Sequence, residues 1–200
     1  LNVNQELTDK SPNEDTMSSY TYDPKNPITI TEGTNIWLRS SEMKNRRTLL
    51  ERDDILIFET EALQKDLEIT GDISLELFAS SSAIDTDFTA AIVDVYPDGY
   101  SLLIQEGILR ASHRNKDESP SHINPNEIYE LNIDLWSTSY VIPAGHKLRL
   151  EISSSNFPRF ARNLNNGEPF GMSDELKIAE QTIYYGERYP SRLLLPVIPA

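Results

Sequence analysis

Four aspartates, Asp85, Asp87, Asp94 and Asp98, crowd into the stretch "IDTDFTAAIVDVYPDGYS", Ile84 to Ser101. Such a density could hold a divalent cation or form a pair of acid–base carboxylates. The spacing speaks against the cation. A calcium loop reads DxDxDG, but "DTDFTA" has Thr89 at the fifth place and Ala90 where the turn needs glycine. The stretch reads instead as a strand apolar on both faces, with Phe88, Ala90 and Ile92 alternating with Ala91, Val93 and Val95. Pro97-Asp98-Gly99 closes it, which makes Asp98 and Gly99 structural turn residues. Asp85 and Asp87 are then expected to accept backbone amides where the strand begins, and no metal is expected.

Nucleophilic chemistry fares no better. An acyl-transfer serine of an α/β-hydrolase needs GxSxG, whose flanking glycines let a strained turn present the hydroxyl. Only Gly99 and Gly171 have a serine two places on, and neither has a glycine four places on. "SEMK", Ser41 to Lys44, matches SxxK without its partner motifs and reads as coincidence. His113, His122 and His146 stand far apart and outside any metal-ligand spacing. Pro143-Ala144-Gly145-His146 reads as a turn, with Gly145 and His146 in structural roles. Carboxylate pairs for glycoside hydrolysis stay open, because their separation is spatial.

Composition narrows the partners. With 32 acidic and 18 basic residues the chain carries a formal charge of -14, which repels nucleic acid and anionic membranes. It has no cysteine, so the fold must rest on packing alone. No apolar run approaches the roughly 20 residues of a membrane span, and the polar start is no signal peptide. A cytoplasmic setting and no cofactor are expected. Two hundred residues suit one core. The start at Leu1 is taken to mean part of a longer polypeptide.

The elements that would position these residues are strands. In "DLEITGDISLELFA", Leu67, Ile69, Ile73, Leu75 and Leu77 share one parity, and the polar residues take the other. "YELNIDLW" and "KLRLEISS" repeat the alternation, with turn chemistry between the runs. The pattern predicts an all-β jelly-roll β-sandwich over 34–200 with few short helices, and Ser41, Glu42, Met43, Leu49 and Leu50 permit a short helix or an irregular turn. Residues 1–33, rich in Asn, Asp, Ser, Thr and Pro, read as an N-terminal arm over the surface that links to a catalytic domain outside this chain.

Five segments in order carry a resemblance: "YDPKNPI" (Tyr22 to Ile28), "ERDDILIFETEALQKDLEITG" (Glu51 to Gly71), "DTDFTAAIVDVYPDG" (Asp85 to Gly99), "IQEGILRASHR" (Ile104 to Arg114) and "VIPAGHKLRLEISSSNFPRFARN" (Val141 to Asn163). Together they resemble the C-terminal domain of the X-prolyl dipeptidyl peptidase and cocaine esterase (CocE/NonD) family of serine hydrolases. The family pattern departs at Lys44-Asn45 and at Ala161. The resemblance implies a galactose-binding-domain-like jelly roll without the Ser-Asp-His triad, partnered by the α/β-hydrolase and cap domains of the same polypeptide. It further implies a parent that cleaves esters or X-Pro dipeptides, with this domain shaping the substrate cleft.

"SNFPRFARN" is the expected docking surface or cleft wall, through Phe157, Pro158, Arg159, Phe160, Arg162 and Asn163. Two Phe and two Arg make it locally basic and aromatic, types favoured at interface centres. The plainer alternative is that Phe157 and Phe160 close the end of the sandwich. Two rival functions remain: a carbohydrate-binding module with Trp37, Trp136, Tyr140, Tyr184 and Tyr185 as stacking platform, and an adaptor binding a separate protein. Self-association into a homo-oligomer is left open.

Overall fold

A computed structural model describes residues 1–10, 12, 14–29 and 45–199. Among the described residues nine strands form two antiparallel sheets: β1 (Thr16–Tyr22), β2 (Leu56–Glu59), β3 (Leu67–Ser81), β4 (Asp87–Val95), β5 (Ser101–Arg110), β6 (Tyr129–Ile142), β7 (Lys147–Ser153), β8 (Ala179–Tyr185) and β9 (Arg192–Leu194). One sheet runs β1-β8-β3-β6, with β9 also paired to β3; the other runs β2-β7-β4-β5. The all-β sandwich expected from the alternating runs is therefore what forms. Three short 3-10 turns, Val3–Gln5, Arg46–Glu51 and Ala111–His113, are the helical elements among the described residues. None of them is long and apolar enough to cross a membrane.

The core lies between the sheets. Ile69, Ile73, Leu75 and Leu77 of β3 and Leu131, Ile133 and Leu135 of β6 meet Phe88, Ile92, Leu148, Leu150 and Ile152 from the other sheet. Phe58 and Tyr185 pack edge to face at 5.5 Å across it. A bulge then resets the parity of β6. Asp72 pairs with Ser137 but Ser74 pairs with Asp134, so Leu135 and Trp136 together oppose Ile73. Beyond the bulge the inward side passes from odd to even numbers, and Ile142 is fully buried. Without it, Tyr140 and Ile142 would face solvent.

Residues 1–33 differ from the expected arm. Where described, they are part of the sandwich: Thr16–Tyr22 pairs along its whole length with β8, and Leu1, Leu7, Tyr20 and Tyr22 join the core. The sequence hides this because Thr16 and Ser18 share the inward parity with the two tyrosines, and Ser18 is satisfied by the Tyr185 hydroxyl at 2.8 Å. The boundary at 33/34, Trp37 and "SEMK" lie outside the described residues. Of the short helix or irregular turn expected near Ser41 to Leu50, the described part is a 3-10 turn whose Asn45 side chain accepts from Arg47 N at 3.0 Å.

β4 is buried on both faces along all nine residues. Its outer cover is polar. Arg46 is buried and donates Nε and Nη2 to Glu151 Oε2 at 2.9 and 2.6 Å, while Arg149 bonds Glu59 at 2.7 Å. Such pairs add little when complete, but the loss of one partner strands a buried charge. Arg46→Met is expected to cost about 3–5 kcal/mol, and Glu151→Met added to it should recover much of that in urea unfolding. At the seam between the sheets β5 approaches β6 so closely that a Cβ on Gly107 would collide with the Asp134 carbonyl. Gly107→Ala should therefore lower stability by about 1–3 kcal/mol, read as a fall in the urea midpoint.

Candidate docking surface

The β7–β8 connection, 154–178, carries "SNFPRFARN" and builds one end of the sandwich. Its base is a ladder of buried asparagines. Asn163 donates Nδ2 to Asp87 at 2.8 Å and to Asp85 at 3.3 Å, accepts from Asn165 N at 2.9 Å, and its carbonyl accepts from Tyr22 Oη at 3.2 Å. Asn165 Nδ2 donates to the Lys177 carbonyl and Asn166 Nδ2 to the Glu175 carbonyl, each at 2.7 Å. Short polar side chains thus do locally what a strand ladder would do, since an irregular buried backbone must still find partners.

The first two aspartates of the opening cluster lock this ladder to the sheets. Asp85 accepts from Ser112 N at 2.9 Å, a backbone amide. Asp87 differs from the expectation: it takes the Arg110 guanidinium, Nε at 2.8 Å and Nη2 at 3.2 Å, together with Asn163. Burial pushes its carboxyl pKa up, against the opposing pull of Arg110 and Asn163. Asp94, at the other end of β4 and fully buried, accepts from His146 Nδ1 at 2.8 Å and Tyr140 Oη at 2.9 Å. Burial first, then the Asp94 carboxylate, raises the Tyr140 pKa. Asp98 accepts from Tyr100 N at 2.9 Å, with Gly99 at φ +86°. Gly145 has φ +85°, and the His146 amide donates to the Pro143 carbonyl at 3.2 Å. Asp85 and Asp87 therefore share Asn163 and Arg110, while Asp94 and Asp98 reach two other surroundings. No group of three or more His, Asp or Glu among the described residues is placed to hold a metal.

Both arginines of the loop are engaged within the chain. Arg159 is paired with Glu106, Arg162 Nη1 donates to the Pro24 carbonyl at 2.8 Å, and Arg110 is held by Asp87. Arg159 and Arg162 also lie over the rings of Phe160 and Phe157. Phe160 is half-buried and Phe157 is more open, next to Pro158. The sequence reading missed the most prominent residues. Phe170 and Met172 are each 76% exposed and Ile178 is 65% exposed, on a tip whose Gly171 takes φ +79°. A groove of ≈ 440 Å³ runs beneath the tip, between Phe157, Arg162, Leu164, Phe170 and Leu176, with Ala161 on its wall. Their signal in the sequence was only the presence of large apolar residues in a segment without strand period, bounded by Pro169 and Gly171.

The aromatic set considered for sugar stacking does not assemble. Tyr185 is buried, Tyr184 is tied to Ser80 Oγ at 3.0 Å, and Trp136 stands on β6 at the seam. Trp37 lies outside the described residues.

Residues 2–194 match the family described as the X-Pro dipeptidyl-peptidase C-terminal non-catalytic domain. The chain is 39% identical over 187 residues to a cocaine esterase of Rhodococcus sp. (strain MB1 Bresler), covering 92% of this chain and 33% of that protein. Its fold superposes with a TM-score of 0.88 on an aminopeptidase from a marine sediment Thaumarchaeota archaeon, at 25% identity over 98% of this chain and 36% of the other. An α-amino acid ester hydrolase gives the same TM-score at 26% identity, over 99% and 35%. The chain thus spans about a third of the length of each of these relatives. With a two-sheet sandwich matched from end to end and relatives that are larger hydrolases, the chain belongs to the family of X-Pro dipeptidyl-peptidase C-terminal non-catalytic domains.

Proposed function

We propose that this domain docks on the α/β-hydrolase and cap domains of a longer serine hydrolase and forms one wall of its substrate cleft, the parent enzyme cleaving esters or X-Pro dipeptides. The observation that carries the reading is the exposed tip of Phe170 and Met172 above an apolar groove, on a loop anchored by buried asparagines. An exposed apolar patch of this kind marks an interaction site. A loop held by buried side chains pays little conformational entropy on contact, so its apolar surface converts into affinity efficiently. The arginines of "SNFPRFARN" serve to shape the loop, and the apolar side chains supply the contact.

Two outcomes test the reading. The chain by itself should turn over neither p-nitrophenyl acetate nor an X-Pro-anilide above buffer; turnover that vanishes on changing one of its serines would overturn the division of labour. Phe170→Ala should leave the melting of this chain within about 0.5 kcal/mol of the original, because the ring is in solvent. In the longer polypeptide the same change should cost about 2 kcal/mol or more of domain contact, seen as a lower melting temperature or activity. Equal melting of mutant and original in both contexts would remove the tip from the interface.

A further inference from the structure

Among the described residues Trp136 is the most exposed aromatic outside the loop, at 65%, and it sits at φ +66°. The bulge of β6 needs a residue in the left-handed region, but glycine or asparagine fills that position at lowest cost, and a bulky side chain there is an outlier. The ring gives the core nothing in return. The backbone around it is nonetheless fixed from three sides. Asp134 Oδ1 accepts from Trp136 N at 2.8 Å, Ser137 Oγ donates to Asp72 Oδ1, and Gln105 Nε2 donates to the Ser137 carbonyl at 2.8 Å. Strain held in place by its surroundings, with no packing benefit, points to use in recognition.

The electrostatics define what would be recognised. Asp72 and Asp134 flank the bulge, Asp134 accepting from the Trp136 amide and Asp72 from the Ser137 hydroxyl, so two carboxylates stand on the strand segments that carry the indole. An indole face attracts cations more strongly than other rings, and adjacent carboxylates add to that attraction. The chain as a whole is strongly acidic. We infer that Trp136, with Asp72 and Asp134, is an anchor for one Arg or Lys side chain projecting from the part of the parent polypeptide outside this chain. This rests on the docking reading above. Relatives are about three times as long, so a large partner surface held in the same polypeptide meets the anchor at high effective concentration. The anchor also adjoins the docking loop through β5: Gly107 lies against Asp134, and its neighbour Glu106 holds Arg159.

Hydroxyl-radical footprinting read by mass spectrometry reports Trp136, Phe170 and Met172 separately, in this chain and in the polypeptide carrying the preceding region. All three are expected to become severalfold less reactive in the longer polypeptide. Trp136→Phe should keep most of its thermal tolerance and Trp136→Leu should lose it, while the two variants melt alike in the short chain. Protection of Phe170 and Met172 without Trp136 overturns the anchor and leaves the docking surface standing. Protection of none removes both. Leu serving as well as Phe means an apolar occupant and overturns the cation. Protection of Trp136 produced in the short chain by an added monosaccharide, or by raising its concentration until it dimerises, overturns it too.

Discussion

Two buried carboxylates at opposite ends of β4 constrain the rest of the molecule. Asp87 and Asp94 sit on a strand with protein on both faces, where an ionised group without partners is prohibitively costly. Each must therefore be met by donors brought from elsewhere in the chain. Asp87 draws in Arg110 from β5 and Asn163 from the loop; Asp94 draws in Tyr140 from β6 and His146 from the β6–β7 turn. Four residues from separate parts of the chain are thus held by hydrogen bonds to two side chains. The β7–β8 loop is tied to the sheets because it supplies Asn163 to Asp87.

This explains what the sequence could and could not reveal. The alternation of β3, β6 and β7 is legible because one face of each strand meets the core, and the double-sided burial of β4 is legible because apolar residues fill both parities. β1 was not, because two of its inward positions are Thr16 and Ser18, whose hydroxyls look like loop chemistry until Tyr185 is beside Ser18. The change of parity at Trp136 was equally hidden, since a bulge is a property of two strands together. The surroundings of "SNFPRFARN" were hidden for a related reason: a string of letters shows two arginines but not that Glu106 pairs with Arg159 or that the Pro24 carbonyl accepts from Arg162. Of the candidate residues chosen by type, Arg159, Arg162 and Asn163 hold the loop and Phe157 is exposed, while Phe170, Met172 and Ile178 went unnoticed.

The division within the loop has a physical logic. Hydrogen bonds fix position well but add little net stability, whereas apolar area released from water supplies most of the free energy of association. Asn163, Asn165 and Asn166 perform the first task, and Phe157, Phe170, Met172 and Ile178 are available for the second. Side chains presented from such a frame lose little freedom on contact.

The asparagine ladder also bears on how the protein ages. Asn166 precedes Gly167, a pairing in which the unhindered glycine amide readily attacks the asparagine side chain and converts it to a carboxylate. In the folded loop that side chain is held at both ends, Oδ1 accepting from Glu168 N at 2.9 Å and Nδ2 donating to the Glu175 carbonyl at 2.7 Å, so it cannot swing into the geometry of attack. Deamidation at Asn166 therefore waits on opening of the loop. Its slow accumulation would record how much of the protein's lifetime that end of the sandwich spends open, and each event would replace a donor with a second acceptor facing the Glu175 carbonyl, making the next opening easier.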